Sequence, residues 1–168
     1  MQLRPLALQD APLMLEWMHD ASVVGHMGTN FMEKTLSDCE KFIIWSQTAT
    51  QDLHLAVVDE KDEYQGTVSL KHIENGVAEF AITIRACAMG KGVSAYAMES
   101  ILRKGLEGLG LAKIYWCVSP ENQRAVRFYD KHCYPRVDVG TLMPVGYSQE
   151  QLDAYIWYAV TKADLPHF

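Results

Sequence analysis

Apolar positions recur at two periods along the chain, and the changes of period divide it into elements. "QLRPL" reads as a short edge strand limited by Pro5, after which Leu8, Ala11, Leu15, Trp17 and Met18 fall at helical spacing. A second helix is expected through "SDCEKFIIWSQTA", capped by Thr35 or Ser37, with Ser37 and Glu40 matching a capping box. The period then shortens to two. "LAVV", "GTVSL" and "VAEFAITI" read as consecutive antiparallel strands, separated by "DEKDEYQ" and by the hairpin signal "ENG".

Helical spacing returns after the glycine turn "MGKG": Val93, Ala97, Ile101, Leu102, Leu106 and Leu109 predict a helix of about four turns, ended by "GLG". "KIYWCVS" is the next strand and "ENQRAVRFYDKH" the next helix. "YPRVDVGTLMPVGY" and "AYIWYAV" predict two further strands, joined by a short helix at "SQEQLD". The fold class expected from this order is mixed α/β (α+β): a mostly antiparallel central sheet of about seven strands flanked by helices, with helix-linked parallel pairing on one side.

With 168 residues, 49% of them hydrophobic, a single domain over 1–168 with a full core is expected. A net charge of -6 without any basic run argues against nucleic acid as a partner. The N-terminal stretch "MQLRPLALQDAPLMLEW" carries two prolines and two acids where a secretory signal needs apolar residues, and no apolar run approaches a membrane span. A soluble, cytoplasmic protein without membrane partners is the expectation. Cys39, Cys87, Cys117 and Cys133 show no Cys-x-x-Cys spacing, so no metal site is expected, and each reads as a small core residue.

The turn at Gly90 to Ser94 feeds a helix N-terminus, where unpaired N–H groups and the positive end of the macrodipole favour phosphate. A tight turn into a helix accounts for the same residues. A P-loop needs glycine at 85 and Ser or Thr after the Gly-Lys pair, but Arg85 and Gly92 stand there. Gly90, Gly92 and Ala95 match Gly-x-Gly-x-x-Ala, yet "RACAM" separates the strand from the first glycine and no acid ends the next strand, against a dinucleotide fold.

Downstream, Asn122, Ala125, Phe128, Tyr129 and Lys131 lie 32 to 41 residues after Gly90, room for one helix and one strand. With this second segment the sequence resembles the GCN5-related N-acetyltransferase (GNAT) superfamily, which pairs an Arg/Gln-x-x-Gly-x-Gly/Ala loop with an Asn-x-x-Ala-x-x-Phe-Tyr-x-Lys helix. The opening "LRPLALQDAPLMLEWMHD" is similar to the branch acting on ribosomal-protein N-termini, polyamines and amino sugars. The resemblance implies the GNAT fold, acetyl-CoA as cosubstrate, no metal, and a small-molecule amine acceptor for a monomer or homodimer. It assigns the pyrophosphate to the backbone of Gly90, Lys91, Gly92, Val93 and Ser94, with Ala95 on the first helical turn. The pantetheine arm would enter a splay between the fourth and fifth strands, along Ile82, Ile84 and "YWCVS", with Asn122 bonding to it. A polar residue opening a helix is the plainer reading of Asn122. Met89, Ser94 and Cys133 depart from the family pattern; a Met89 thioether cannot donate to phosphate, whereas a Ser94 hydroxyl can.

Tyr129 matches the family's general acid, and a tyrosine pKa near 10 suits protonation of a departing thiolate. Its other reading is a core aromatic with its hydroxyl bonded to backbone. Glu79 is the candidate general base, since glutamate is disfavoured in strands and this strand leads to the cofactor loop; a water chain is the alternative, and alternation with Ala78 and Phe80 equally lets Glu79 face outward. His26, His72 and His132 have suitable chemistry but no supporting motif. Trp17, Phe31, Trp45, Tyr147 and Trp157 are either acceptor-pocket or core aromatics. A non-catalytic acyl-CoA-binding module is the competing function class.

Overall fold

The computed structural model describes residues 1–167. Seven strands form one sheet: β1 (Gln2–Pro5), β2 (Leu53–Val58), β3 (Tyr64–Glu74), β4 (Val77–Ile84), β5 (Lys113–Val118), β6 (Arg136–Val137) and β7 (Ile156–Val160), in the spatial order β1-β2-β3-β4-β5-β7-β6. Every neighbouring pair is antiparallel except β4 and β5. Helices α1 (Ala11–Met18), α2 (Ala21–Val24) and α3 (Leu36–Ser46) precede β2; α4 (Val93–Arg103), α5 (Gln123–Lys131) and α6 (Gln149–Ala154) follow β4, β5 and β6. The expected mixed sheet is the observed one. No helix among the described residues is long and apolar enough to cross a membrane.

The sheet is covered on both faces. Ala97, Met98, Ile101 and Leu102 of α4, with Tyr129 of α5, pack on Val68, Leu70, Phe80, Ile114 and Trp116. Ala56, Val58 and Tyr64 meet α1 and α3 in a second cluster, and Tyr115, Trp157 and Ala159 meet Tyr147 and Leu152 in a third. A side chain on either face is therefore removed from water wherever a cover exists, and strict alternation of apolar and polar residues is not required. Arg85, just past β4, ties that strand end down: its guanidinium donates to Glu16 at 2.9 and 3.1 Å, to Glu63 at 2.9 Å and to the Tyr64 carbonyl at 3.0 Å. The acidic "DEKDE" turn is thus structural, with Asp62 likewise paired to Arg4 at 2.6 Å.

Several expectations change. The cap of α3 is Thr35, whose hydroxyl accepts from the Asp38 N–H at 3.2 Å while Asp38 accepts from the Thr35 N–H at 2.8 Å, so the capping box lies two residues before Ser37 and Glu40. The helix after the glycine turn changes to wider i→i+5 bonding over Lys104–Gly108. Gly105 there lies against the side chains of Leu70 and Ile114. The expected strand over "YPRVDVGTLMPVGY" shrinks to Arg136–Val137, because the Asp138 carboxylate accepts from the Gly140 N–H at 2.7 Å and turns the chain out of the sheet. Cys39 is buried and Cys117 half-buried, but Cys87 and Cys133 are exposed, Cys87 in the turn after β4 and Cys133 at φ 58° after α5.

Gly66 of β3 faces Ile84 of β4, and a Cβ there would stand 2.3 Å from the Thr83 carbonyl oxygen and 3.0 Å from Ile84 Cα. Those neighbours are backbone and cannot yield without parting the strands. Gly66→Ala is expected to cost about 2 to 3 kcal/mol of stability, read from the denaturant midpoint; an unchanged midpoint would mean that the pair separates there without cost.

Candidate active site

The sheet opens between β4 and β5. The two strands pair only at Val77, Ala78 and Glu79, opposite Lys113, Ile114 and Tyr115. Past Glu79, β4 keeps β3 on one side and β5 keeps β7 on the other, so the facing backbone N–H and C=O groups have no strand partner across the gap. An extended chain bearing amides can pair with such edges. The gap is part of a cavity of about 890 Å³, bordered by Ile82 and Ile84 on one side and by Cys117 and Val118 on the other.

At the far end of β4 the chain reaches the glycine turn. Gly90 (φ 74°) and Gly92 (φ 79°) both hold left-handed backbone, and a Cβ on either would meet nothing within 4 Å. The requirement for glycine is conformational, and the space beside the turn is open. Gly92 caps α4 without a side-chain bond, and the first intrahelical bond is Tyr96 N–H to Gly92 at 3.1 Å. The N–H groups of Val93, Ser94 and Ala95 ahead of it have no helix partner. Gly90 and Ser94 border the cavity; Lys91, Gly92, Val93 and Ala95 shape the turn and first helical turn without bordering it. An open strand edge followed by clustered N–H donors fits the amide arm and diphosphate of CoA.

Asn122 also borders the cavity, as the N-cap of α5. Its Oδ1 accepts from the Ala125 N–H at 3.3 Å, which leaves the Nδ2 hydrogens for a ligand. One turn on, the Tyr129 ring is 7% exposed and packs on Trp116, Tyr134 and Tyr158. Its hydroxyl makes no hydrogen bond with another described residue, so the backbone bond of the core reading is not formed. Burial pushes the hydroxyl above the ordinary tyrosine range, so it holds its proton at neutral pH. The indole N–H of Trp116, also bordering the cavity, is buried without a partner among the described residues.

Glu79 stands where the pairing of β4 and β5 stops. It is 3% exposed, so the outward-facing reading does not hold: its side of the sheet is covered by the segment carrying Tyr147. The Tyr147 hydroxyl donates to Glu79 Oε1, and the Cys117 thiol donates to the Tyr147 hydroxyl at 3.4 Å. Burial, aided by Cys117 and Glu79, raises the Tyr147 hydroxyl well beyond its usual range and fixes it as a donor. Burial likewise pushes the Cys117 thiol up to about 11. Lys71 Nζ lies 3.8 Å from the same Glu79 oxygen, Oε1, and His72 Nε2 lies 3.9 Å from Oε2.

His72 reaches that place through a bulge. The hairpin at Asn75 and Gly76, both at positive φ, pairs Glu74 with Val77, but Lys71 pairs with Glu79, so β3 carries one extra residue between. His72 takes up the excess at φ 52°, its N–H donating to Asp52 Oδ1 at 2.8 Å. The sequence pattern points to Cys117 only as a core cysteine and does not point to Lys71, which the bulge, not the regular hairpin register, sets opposite Glu79. His26, Phe31 and Tyr147 border the cavity as well, whereas Trp17 and Trp157 are core, Trp45 is exposed on α3, and His132 bonds to the Phe128 carbonyl at 2.8 Å. Among the described residues no cluster of His, Cys, Asp and Glu could hold a metal ion.

A family model described as an acetyltransferase (GNAT) domain matches residues 1–132. No curated protein matches significantly. Among solved structures, a spermidine N-acetyltransferase from Vibrio cholerae, in complex with CoA and spermine, superposes with a TM-score of 0.79 at 20% identity, covering 98% of this chain and 97% of that one. A GNAT-family acetyltransferase from Bacillus anthracis gives 0.74 at 18% identity, covering 96% and 94%. At these identities the likeness is one of fold.

Proposed function

Since the chain belongs to the acetyltransferase (GNAT) family and is an acetyl-CoA-dependent acetyltransferase, we propose that it acetylates a primary amine of a small molecule by direct transfer within a ternary complex. The amino sugars and the polyamines are the acceptor chemistries to compare, and 1–168 is read as one catalytic domain. The observation that carries this reading is the single cavity wall shared by the open β4 edge, Asn122, Tyr129 and Glu79. A protein N-terminus would need an open groove, and here residues around Phe31 and around Tyr147 wall the acceptor end.

When bound, acetyl-CoA supplies a thioester whose C–S bond breaks as the amide C–N bond forms. The splayed backbone of β4 orients the acyl arm, and Asn122 Nδ2 and the turn at Gly90 to Ser94 hold it in place. Glu79 Oε1 and Oε2 take the proton that the ammonium must lose before nitrogen can attack. The Tyr129 hydroxyl gives its proton to the departing sulfur and recovers one from the amide nitrogen's excess through solvent, for a net release of one proton. Cys117 is the cysteine that borders the cavity, and a thiol with a pKa of about 11 is overwhelmingly protonated at neutral pH, which favours direct transfer over an acetyl-cysteine intermediate.

Calorimetric titration with acetyl-CoA and with CoA tests the reading. One-to-one binding in the micromolar range is expected; absence of heat and of competition at millimolar cofactor would mean that Met89 and Ser94 have abolished the site.

A further inference from the structure

The whole chain is acidic, with 21 carboxylate side chains against 15 lysines and arginines, yet the cavity is not. Among the described residues bordering it, Glu79 is the single carboxylate, against Lys71 and Arg124, with His26 and His72 besides. Arg124 lies on the first turn of α5 beside the N-cap Asn122, at the donor end. Lys71 and His72 lie at the other end: Glu79 is five residues before Ile84, a separation of about 17 Å along the strand. The Lys71 charge is therefore out of reach of the phosphates at the glycine turn, and it and the His72 imidazole face the acceptor.

Resting on the reading above, we infer that the acceptor is a primary amine that also carries an anionic group, a carboxylate or a phosphate, close to its nitrogen. Glu79 provides for one ammonium. The Lys71 ammonium, 3.8 Å from that carboxylate and only partly exposed, stands where a second group of the same small molecule must lie. A polyamine would place its next ammonium there without a carboxylate to meet it and against a like charge. An anion would meet Lys71 and the His72 imidazole together. The bulge supports a selected arrangement: His72 is held at φ 52° by Asp52, a backbone conformation unfavourable for a non-glycine residue, and the result is an imidazole 3.9 Å from Glu79. Carried regularly from the hairpin, the register would set His72 opposite Glu79 and Lys71 opposite Phe80, projecting to the other face of the sheet; the bulge brings Lys71 to Glu79 while His72 stays beside it.

The test uses pairs of amines that differ in the anionic group. CoA release is followed with glucosamine 6-phosphate against glucosamine, with β-alanine against β-alaninamide, and with spermidine. At least a tenfold higher kcat/KM is expected for the anionic member of one pair than for its uncharged counterpart and for spermidine, and the pair that shows it separates phosphate from carboxylate. Lys71→Gln should bring that ratio close to one, Lys71→Arg should retain it, and Lys71→Glu should put spermidine first. Titrating the CoA complex with the preferred anionic amine should show binding that Lys71→Gln loses, a readout independent of turnover. Preference for spermidine or for the uncharged amines, a ratio that survives in Lys71→Gln, or acetyl-CoA binding with no anionic amine bound or acetylated would each overturn the inference while leaving the acetyltransferase reading intact. Failure to bind acetyl-CoA at all would remove both.

Discussion

Tyr129→Phe is expected to lower kcat by about 10²- to 10³-fold, the range a positioned general acid supplies, with little change in the KM for acetyl-CoA. The hydroxyl bonds to no described residue and the ring supplies the packing on Trp116 and Tyr158, so the variant should keep its unfolding midpoint. Loss of rate without loss of stability is what separates an acid from a core aromatic. The pH dependence has a definite sign. A general acid must hold its proton, and burial raises the Tyr129 hydroxyl above its usual value, so wild-type kcat should not decline between pH 7 and about 10. A hydroxyl raised this far can protonate sulfur because the departing thiolate sits in the same poorly solvated pocket, and desolvation raises its basicity too. Unchanged turnover in Tyr129→Phe at every pH, or a falling limb centred near pH 8, would assign the proton to another group.

The elements proposed to hold the cofactor were legible because each follows from local rules. Left-handed glycines before an uncapped helix, a polar cap at Asn122 and a helical stripe through Phe128 and Tyr129 depend on residues a few positions apart. The acceptor end was not legible in the same way. The alternation around Glu79 describes a strand with one buried face, but this sheet has cover on both, and the segment holding Tyr147 comes from 68 residues away. The expected strand over Tyr134 to Tyr147 shortened for a related reason: Asp138 accepts from the Gly140 N–H locally, and the freed segment becomes a wall of the cavity. Lys71 shows the limit most directly. Simple hairpin register from Asn75 and Gly76 places His72 opposite Glu79, and one bulged residue, invisible to periodicity, substitutes Lys71.

Glu79→Gln is expected to reduce kcat/KM at pH 7 by about 10²- to 10³-fold for an amine of high pKa. Such an amine, with a pKa near 10.4, is neutral in only about one molecule in 2,500, a deficit of about 4.6 kcal/mol, whereas an α-amino group near 7.8 loses about 1 kcal/mol. The substitution should therefore cost much less with the weaker base, and with the stronger one the deficit should shrink as the pH approaches the amine's own pKa, where solvent supplies the neutral form. Glutamine preserves the shape and can still accept from Tyr147, so the change isolates the proton acceptor from the scaffold. Tyr147→Phe provides the contrast: it removes a positioning bond while leaving the carboxylate, and about a tenfold loss that is the same for both amines is expected. If Glu79→Gln lost equally with weak and strong amines, the carboxylate would be holding the acceptor by charge while a water chain carried the proton; if it were silent with the strong amine, burial beside Lys71 and His72 would have a purely structural origin.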